Sequence, residues 1–220
     1  MNIEPERPRP PLQKRSEATL ARILEAARAL LATRDLDDIT VEDIARQAGV
    51  SVGSLYTRFK GKDELLTHLL DATQRAQVQQ LAEVLAAERW TGVGLAERLA
   101  WLVETLQASG RASPGLIRAV FGRLLSQSAE LNAGPAALNA RSVALISDWL
   151  LAAEDGVTAP DPERATATTT AWLSYSVHMA MLYDFAFPGQ DGEAVVRELK
   201  RAALAALRPG AGDPDSDPAR

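Results

Sequence analysis

The chain has 220 residues, 46% of them hydrophobic and 24% charged, which suits one large or two modest globular domains. It contains no cysteine, so disulfides, thiolate metal sites and cysteine nucleophiles are excluded. The net charge of −5 argues against nucleic-acid binding, but residues 1–62 hold 11 basic and 9 acidic residues whereas residues 63–220 hold 13 and 20. This asymmetry agrees with a nucleic-acid-facing N-terminal region on an acidic body, and equally with chance.

The two ends of the chain have compositions typical of disorder. Residues 1–15 contain four prolines among charges, and residues 208–220 are rich in proline, glycine and aspartate, so a disordered arm and a disordered tail are predicted. The N-terminus has no apolar stretch of a secretory signal, and no window approaches the ~20 apolar residues of a membrane span. We therefore expect a cytoplasmic protein without a membrane partner.

Leucine and alanine dominate between these ends, and an all-α fold of about nine helices is predicted. The first helix is expected from Ser16 to Arg34, with Ser16 or Thr19 as its N-cap. Asp35 follows at the position where a left-handed residue commonly ends a helix.

The segment ITVEDIARQAGVSVGSLYTRFKGKDELL, residues 39–66, predicts two short helices and the start of a long one. Thr40 with Asp43 resembles a capping box at the first helix, and Gly49 is its expected C-cap. Ser51 caps the second helix, which Gly61 ends. Lys62 then opens the long helix, which extends to about Glu88.

Five further helices are predicted after Trp90-Thr91-Gly92. They are expected at about 94–109, 114–127, 134–154, 161–187 and 191–207, with breaks at Ser113-Pro114, Gly134-Pro135, Asp155-Gly156 and Pro188-Gly189.

Two short helices joined by Ala-Gly-Val-Ser form a helix-turn-helix, and the second begins with small residues that let its backbone approach DNA closely. Free N–H groups at that helix N-terminus also suit a phosphate. Leu55 and Phe59 are expected to anchor the helix. The exposed side would then carry Val52, Gly53, Ser54, Thr57 and Arg58.

This region resembles the TetR family of regulators over roughly residues 18–70. The resemblance is carried by Ile23, Ala26-Ala27, Thr40, Ile44-Ala45, Ala48-Gly49-Val50-Ser51, Gly53-Ser54-Leu55-Tyr56, Phe59, Lys62 and Glu64-Leu65-Leu66. It implies that Thr40, Ser51, Tyr56 and Lys62 hold phosphates, while Val52 and Ser54 face base edges. Where the family often has glycine and histidine, this chain has Asp35 and Arg58, and the latter puts its sequence preference in question.

The resemblance also implies two domains. A helix-turn-helix domain of three helices would cover residues 16–62, and an effector-binding and dimerisation domain would cover residues 63–207.

Each predicted DNA contact has a structural alternative. Tyr56 could be half core, Thr40 could only cap its helix, and Lys62 could be a solvated first-turn lysine. A basic arm of Arg7, Arg9, Lys14 and Arg15 could enter a minor groove, although a solvated tail is the simpler interpretation.

The helix at 161–187 has two apolar faces, one with Trp172, Tyr175, Met179 and Leu182 and the other with Leu173, Val177, Ala180 and Met181. One face is expected to meet its own domain and the other a partner subunit, with Val177 at or beside the seam. The last helix, with Val196, Leu199, Ala203 and Leu207, would complete a four-helix interface in a homodimer.

The aromatic residues of the body could line a cavity for a small apolar or amphipathic effector, which the resemblance also implies. The candidates are Trp101, Phe121, Trp149, Trp172, Tyr175, His178 and Met179, and each could instead be simple core.

The function predicted is a DNA-binding regulator, a repressor that a ligand releases from operator DNA. An enzyme is not expected: no nucleophile elbow or glycine-rich phosphate loop occurs, and His68 with Asp71 is the one metal-like spacing. No cofactor, metal or catalytic residue is predicted. The alternative is an adaptor or ligand-binding protein of the same fold that has lost operator binding, against which Tyr56 and Lys62 argue.

Overall fold

The computed structural model describes residues 12–124, 129–182, 189 and 191–210, with side chains for 16–122, 136–182, 189 and 191–210. These residues form nine α-helices, two 3-10 turns and no strand, which confirms the predicted all-α class. The helices are α1 (Leu12–Leu31), α2 (Val41–Ala48), α3 (Val52–Tyr56), α4 (Lys62–Leu85), α5 (Leu95–Ala112), α6 (Pro114–Leu124), α7 (Ala129–Leu151), α8 (Pro162–Leu182) and α9 (Gly192–Leu207). The 3-10 turns are Leu36–Asp38 and Glu88–Trp90.

Both predicted disordered ends fall largely outside the described residues, but each prediction was too long. Helix α1 begins at Leu12, so Ser16 lies inside the helix and neither Ser16 nor Thr19 is its N-cap. A helix can start directly after Pro10-Pro11, because a residue that precedes the helix donates no helical hydrogen bond and the N–H that proline lacks is not needed there. At the other end, Arg208 donates to Asp155 Oδ2 at 2.5 Å and is therefore fixed to the body.

The predicted left-handed conformation of Asp35 is wrong. Helix α1 ends at Leu31, and Thr33 and Arg34 both donate their N–H to the carbonyl of Leu30. Asp35 is extended, with φ −75° and ψ 155°, and precedes the 3-10 turn. Its carboxylate instead accepts from Arg118 Nε at 2.6 Å, which ties the end of α1 to α6.

Two apolar cores divide the molecule. The first, here called the head core, joins α1, α2, α3 and the first half of α4, and Leu116 of α6 also packs into it. The second, the body core, is built from α5, α7, α8 and α9, with Leu81 and Leu85 at the end of α4 packed against it. Helix α4 therefore contributes to both cores, although the proposed domain boundary follows its first residue.

The break predicted at Gly134-Pro135 is wrong, because α7 begins at Ala129 and continues through both residues. Proline removes a single backbone donor, and the helix accepts that loss here. The other predicted breaks at described residues are present, and Gly92 and Gly156 have φ of 75° and 69°.

Several residues predicted for the subunit interface lie in the body core of their own chain. Leu173 and Val177 of α8 are fully buried against α5 and α9. Val196, Ala203 and Leu207 of α9 are equally buried. The prediction that Val177 and these α9 side chains lie at a subunit interface is wrong, because α8 and α9 need them to pack on each other and on α5. The face of α8 with Leu173 and Val177 is the one that meets its own domain.

Candidate nucleic-acid interface

The caps of α2 and α3 are those the sequence predicts. Thr40 Oγ1 accepts from the N–H of Asp43 at 3.1 Å, and the N–H of Thr40 donates to Asp43 Oδ2 at 3.2 Å, which completes the capping box. Gly49 ends α2 with φ 63° and ψ 40°, and Ser51 Oγ accepts from the N–H of Ser54 at 3.1 Å. These caps are local, so they fix both helices and the turn between them.

Asp43 also fixes α2 to α1. Its carboxylate pairs with Arg34 at 3.2 Å and with Arg46 at 2.8 Å. The pKa of Asp43 is held below its ordinary value, chiefly by the N–H of Thr40 and then by the Thr40 hydroxyl and Arg34. The carboxylate therefore stays ionised and keeps its partners near neutral pH.

One side of the turn after α3 is anchored as predicted. Leu55 is 0% exposed and Phe59 is buried, and both pack into the head core. Helix α3 ends at Tyr56, shorter than predicted, and Thr57 Oγ1 donates to the carbonyl of Gly53 at 2.8 Å. The anchor points the opposite side of α3 toward solvent.

The predicted DNA contacts lie together on that solvent side and at the helix N-termini. Thr40, Ser51, Gly53, Ser54, Tyr56 and Thr57 are exposed, while Val52, Arg58 and Lys62 are half-buried. Tyr56 is 52% exposed, and it is the large hydrophobic residue left in solvent among the described side chains. The Tyr56 ring is not part of the core, so the alternative that Tyr56 only packs against the protein leaves the exposed half of its side chain unexplained.

Some of these side chains already have protein partners. Ser51 Oγ and Ser54 Oγ are 2.9 Å apart, and Arg58 donates to Ser16 Oγ at 2.9 Å. Ser16, which the sequence suggested as a helix cap, thus holds the chain just after α3 against α1. Lys62 opens α4 behind Gly61, which offers no capping side chain.

Sequence reasoning missed two further cations beside this surface. Lys60 is exposed in the segment between α3 and α4, and its N–H donates to Glu64 Oε2 at 2.6 Å. Arg22 of α1 lies beside the turn, since a Cβ on Gly49 would lie 4.0 Å from its Nη1. The position of Lys60 between two predicted contacts could have indicated it, whereas Arg22 needed the tertiary structure.

The seven candidate ligand residues do not form one group. Trp101 and Trp149 pack edge-to-face with ring centroids 5.4 Å apart. The ring centroid of Phe121 lies 4.9 Å from that of Tyr175 and 5.5 Å from that of His178. Trp172 is half-buried against the body core and Met179 is half-buried on α8. The structure therefore separates a tryptophan cluster from a Phe121–Tyr175–His178 cluster.

His178 has partners on both ring nitrogens. Nδ1 lies 2.8 Å from the carbonyl of Ser174 and must donate to it. Nε2 lies 3.1 Å from Ser109 Oγ, and that hydroxyl also lies 2.9 Å from the carbonyl of Leu106, so its one proton serves either acceptor. Burial lowers the pKa of His178, and its hydrogen bond to Ser174 opposes that shift. The lowered pKa makes His178 a neutral core histidine near pH 7.

Two open clefts lie outside the Phe121–Tyr175–His178 cluster. One of about 500 Å³ is formed where α6 meets the head, between the 3-10 turn at Leu36–Asp38, α4 and α6. The other, of about 450 Å³, is lined by Trp101 and lies at the start of α5.

The described residues show no cluster of three or more His, Asp or Glu side chains that could hold a metal. His68 packs edge-on against Phe59, with ring centroids 5.6 Å apart. No helix among the described residues is both long and apolar enough to cross a membrane.

Sequence comparison assigns the N-terminal segment to a known family. The family model for bacterial regulatory proteins of the tetR family matches residues 23–69. An uncharacterized HTH-type transcriptional regulator of Bacillus subtilis, YwcC, is 42% identical over 62 residues, 28% of each chain. The HTH-type transcriptional repressor KstR2 of Mycolicibacterium smegmatis is 38% identical over 68 residues, 31% of each chain. The chain thus spans less than a third of the length of these relatives.

The similarity of fold extends much further than the similarity of sequence. FadR from Bacillus subtilis, solved in complex with stearoyl-CoA, has a TM-score of 0.62 over 86% of this chain and 99% of its own, at 16% identity. At that identity the likeness establishes the fold alone. The N-terminal segment thus matches the tetR family of bacterial regulatory proteins, and the described residues have the fold of solved regulators such as FadR.

Proposed function

We propose that this regulator binds operator DNA as a homodimer and represses transcription until a small ligand releases it. The exposed side of α3 supports this proposal most strongly. Leu55 and Phe59 fix the orientation of the helix, and Tyr56, Ser54 and Gly53 are left in solvent with no part in the core. A recognition helix in a major groove needs such a side.

The proposed contacts divide into two kinds. The hydroxyls of Thr40, Ser51 and Tyr56 and the ammonium of Lys62 would position the protein on phosphates. Val52 and Ser54, in the first turn of α3, would face base edges. Thr40 and Ser51 accept helix N–H groups in the free protein, and their hydroxyl hydrogens can donate to phosphate at the same time.

We propose that dimerisation uses the outer sides of α8 and α9. The buried apolar residues of α8 and α9 pack within the chain, but Ala202, Ala205 and Ala206 of α9 are exposed, as is Ala171 of α8. Small side chains at helical spacing permit close approach of a second pair of helices across a two-fold axis. Sedimentation should show a dimer at micromolar concentration, and a monomer would contradict this arrangement.

An apolar or amphipathic effector is proposed for the body. The Phe121–Tyr175–His178 cluster joins α6 to α8, and α6 also reaches the head core through Leu116. A structural relative was solved with stearoyl-CoA, an amphipathic molecule. Release requires that the ligand bind the DNA-incompetent state more tightly than the DNA-bound state.

The test is capture of genomic DNA fragments by the full chain, followed by selection of a consensus. We expect specific fragments that share a palindromic or near-palindromic site, with half-sites one or more helical turns apart. The Tyr56→Ala variant should capture less, while Gln77→Ala, an exposed change on α4, should not differ from the wild type. An adaptor or an enzyme would retain no fragment specifically.

A further inference from the structure

Three of the four tryptophans meet at the end of the molecule where α4 leads into α5. Trp90, in the 3-10 turn, contacts Trp101 and Trp149 with centroid distances of 5.0 and 4.7 Å and interplanar angles of 70° and 77°. Trp90 Nε1 donates to the carbonyl of Val84 at 2.8 Å, which fixes the ring to the last turn of α4. The cluster is therefore rigid on its inner side.

A buried guanidinium supports this cluster from within. Arg98 is 4% exposed and donates to the carbonyls of Val93 at 3.0 Å and Trp90 at 2.8 Å, and also to that of Trp149. Its carbon Cζ lies 5.4 Å from the Trp149 ring. Arg98 thus fixes the backbone at Trp90 and Trp149, which carry two of the three rings of the cluster.

A second guanidinium lies over the outer faces of the rings. The Cζ of Arg89 is 4.7 Å from the centroid of Trp90 and 5.6 Å from that of Trp101. Arg89 is exposed, and its side chain forms no ion pair with any carboxylate of the described residues. The attraction of the ring faces for a cation accounts for its position.

The same rings line the open cleft of about 450 Å³. Its other walls include Glu97 and Glu104, which lie on the same face of α5 as Trp101 and are both exposed. With Arg89 in place the cleft carries one excess negative charge, and without it two. Aromatic faces between carboxylates form a setting that favours a flat organic cation over an anion or a neutral molecule.

We propose that this cleft is a binding site for a planar organic cation, an aryl guanidinium or a similar amidinium, which replaces the Arg89 side chain over Trp90 and Trp101. Arg89 occupies the position as an internal stand-in that shows what the rings accept. The site lies at the end of α4 opposite the helix-turn-helix and apart from the Phe121–Tyr175–His178 cluster. It is a second ligand site, beyond the effector proposed above.

The probe is phenylguanidinium, with neutral phenylurea of the same shape as its control. Binding to the full chain is measured by calorimetry and by indole fluorescence, without DNA. We expect phenylguanidinium to bind and phenylurea not to bind. Removal of the internal competitor in Arg89→Ala should tighten binding about 2- to 5-fold. The double variant Glu97→Gln/Glu104→Gln should weaken it about 2- to 5-fold. Arg197→Ala, an exposed change on α9, should leave the affinity unchanged.

The sign of the Arg89→Ala effect decides the proposal. Weaker binding would show that Arg89 is a wall of the site rather than its stand-in occupant, and would overturn the proposal. Equal binding of phenylurea, or no change in the double glutamine variant, would do the same. Since no step uses DNA, these outcomes leave the operator proposal to its own test.

Discussion

The head and the body of this protein obey the same rules of helix packing, but their candidate sites depend on the sequence in different ways. In the head, Thr40, Gly49 and Ser51 form caps with residues at most four positions away, and these caps orient α3. In the body, the side chains that lie together come from distant segments, such as Trp90 and Trp149 or Phe121 and Tyr175. A surface built from local signals can be predicted from a motif, whereas one built from long-range packing cannot.

Besides sharing α4, the two regions meet at α6. Leu116 is buried in the head core, and Arg118 pairs with Asp35 after α1. Gly115 lies so close to the end of α1 that a Cβ would overlap the carbonyl oxygen of Arg34 and lie 2.6 Å from that of Leu31. Position 115 accepts only glycine because the backbone of α6 itself packs on α1.

The largest expected difference between the regions concerns their arginines. Arg98→Met should lower the free energy of unfolding by ~3–5 kcal/mol, because it removes three hydrogen bonds from a buried guanidinium to the carbonyls of Val93, Trp90 and Trp149. Arg58→Met removes one exposed hydrogen bond to Ser16 in the head and should cost less than about 0.5 kcal/mol. Urea unfolding followed by tryptophan fluorescence gives both values. Similar costs for the two variants would mean that Arg98 does not support the body as described.

The joint between the regions gives the next largest effect. Gly115→Ala should destabilise the protein by ~1–3 kcal/mol, since the backbone of α1 cannot move aside without disturbing the head core. The matched control is Gly122→Ala on the same helix, where no atom of the described residues beyond its chain neighbours and its own helix backbone lies within 4 Å of the new methyl. That change should stabilise by ~0.5–1 kcal/mol, the ordinary gain of alanine over glycine in a helix. Thermal unfolding distinguishes them, and equal effects would contradict a tight contact of α6 with α1.

His178 gives the smallest stability effect and sharpens the description of the body. Burial holds the pKa of His178 below the ordinary value near 6.5, so the unfolded chain binds the extra proton first as pH falls. This part of the stability is therefore present above pH ~6.5 and is lost as pH falls from there toward the lower pKa of the folded state. The His178→Gln variant should lack this loss. Parallel stability curves for variant and wild type would show that His178 does not contribute.

The sequence predicted the helix-turn-helix closely because its signals are short-range. The capping box, the left-handed Gly49 and the Ser51 cap are all present, and the anchors Leu55 and Phe59 are buried. The conformation of Asp35 was not predictable, because its partner Arg118 is 83 residues away. Periodicity also found two apolar faces on α8 but could not tell which of them the body core would bury.

The DNA-contact roles of the head residues stay predictions, and one measurement tests them most directly. The affinity for a selected operator is measured over a series of salt concentrations for the wild type, Lys62→Ala and Ser54→Ala, with Lys200→Ala of α9 as the control. Loss of a phosphate contact in Lys62→Ala should weaken binding to all sequences alike and flatten the plot of log affinity against log salt by ~1 unit per subunit. Ser54→Ala should keep the slope and relax the preference at one position of each half-site. A Lys62→Ala protein with altered base preference and an unchanged salt slope would contradict the account of how this head binds DNA.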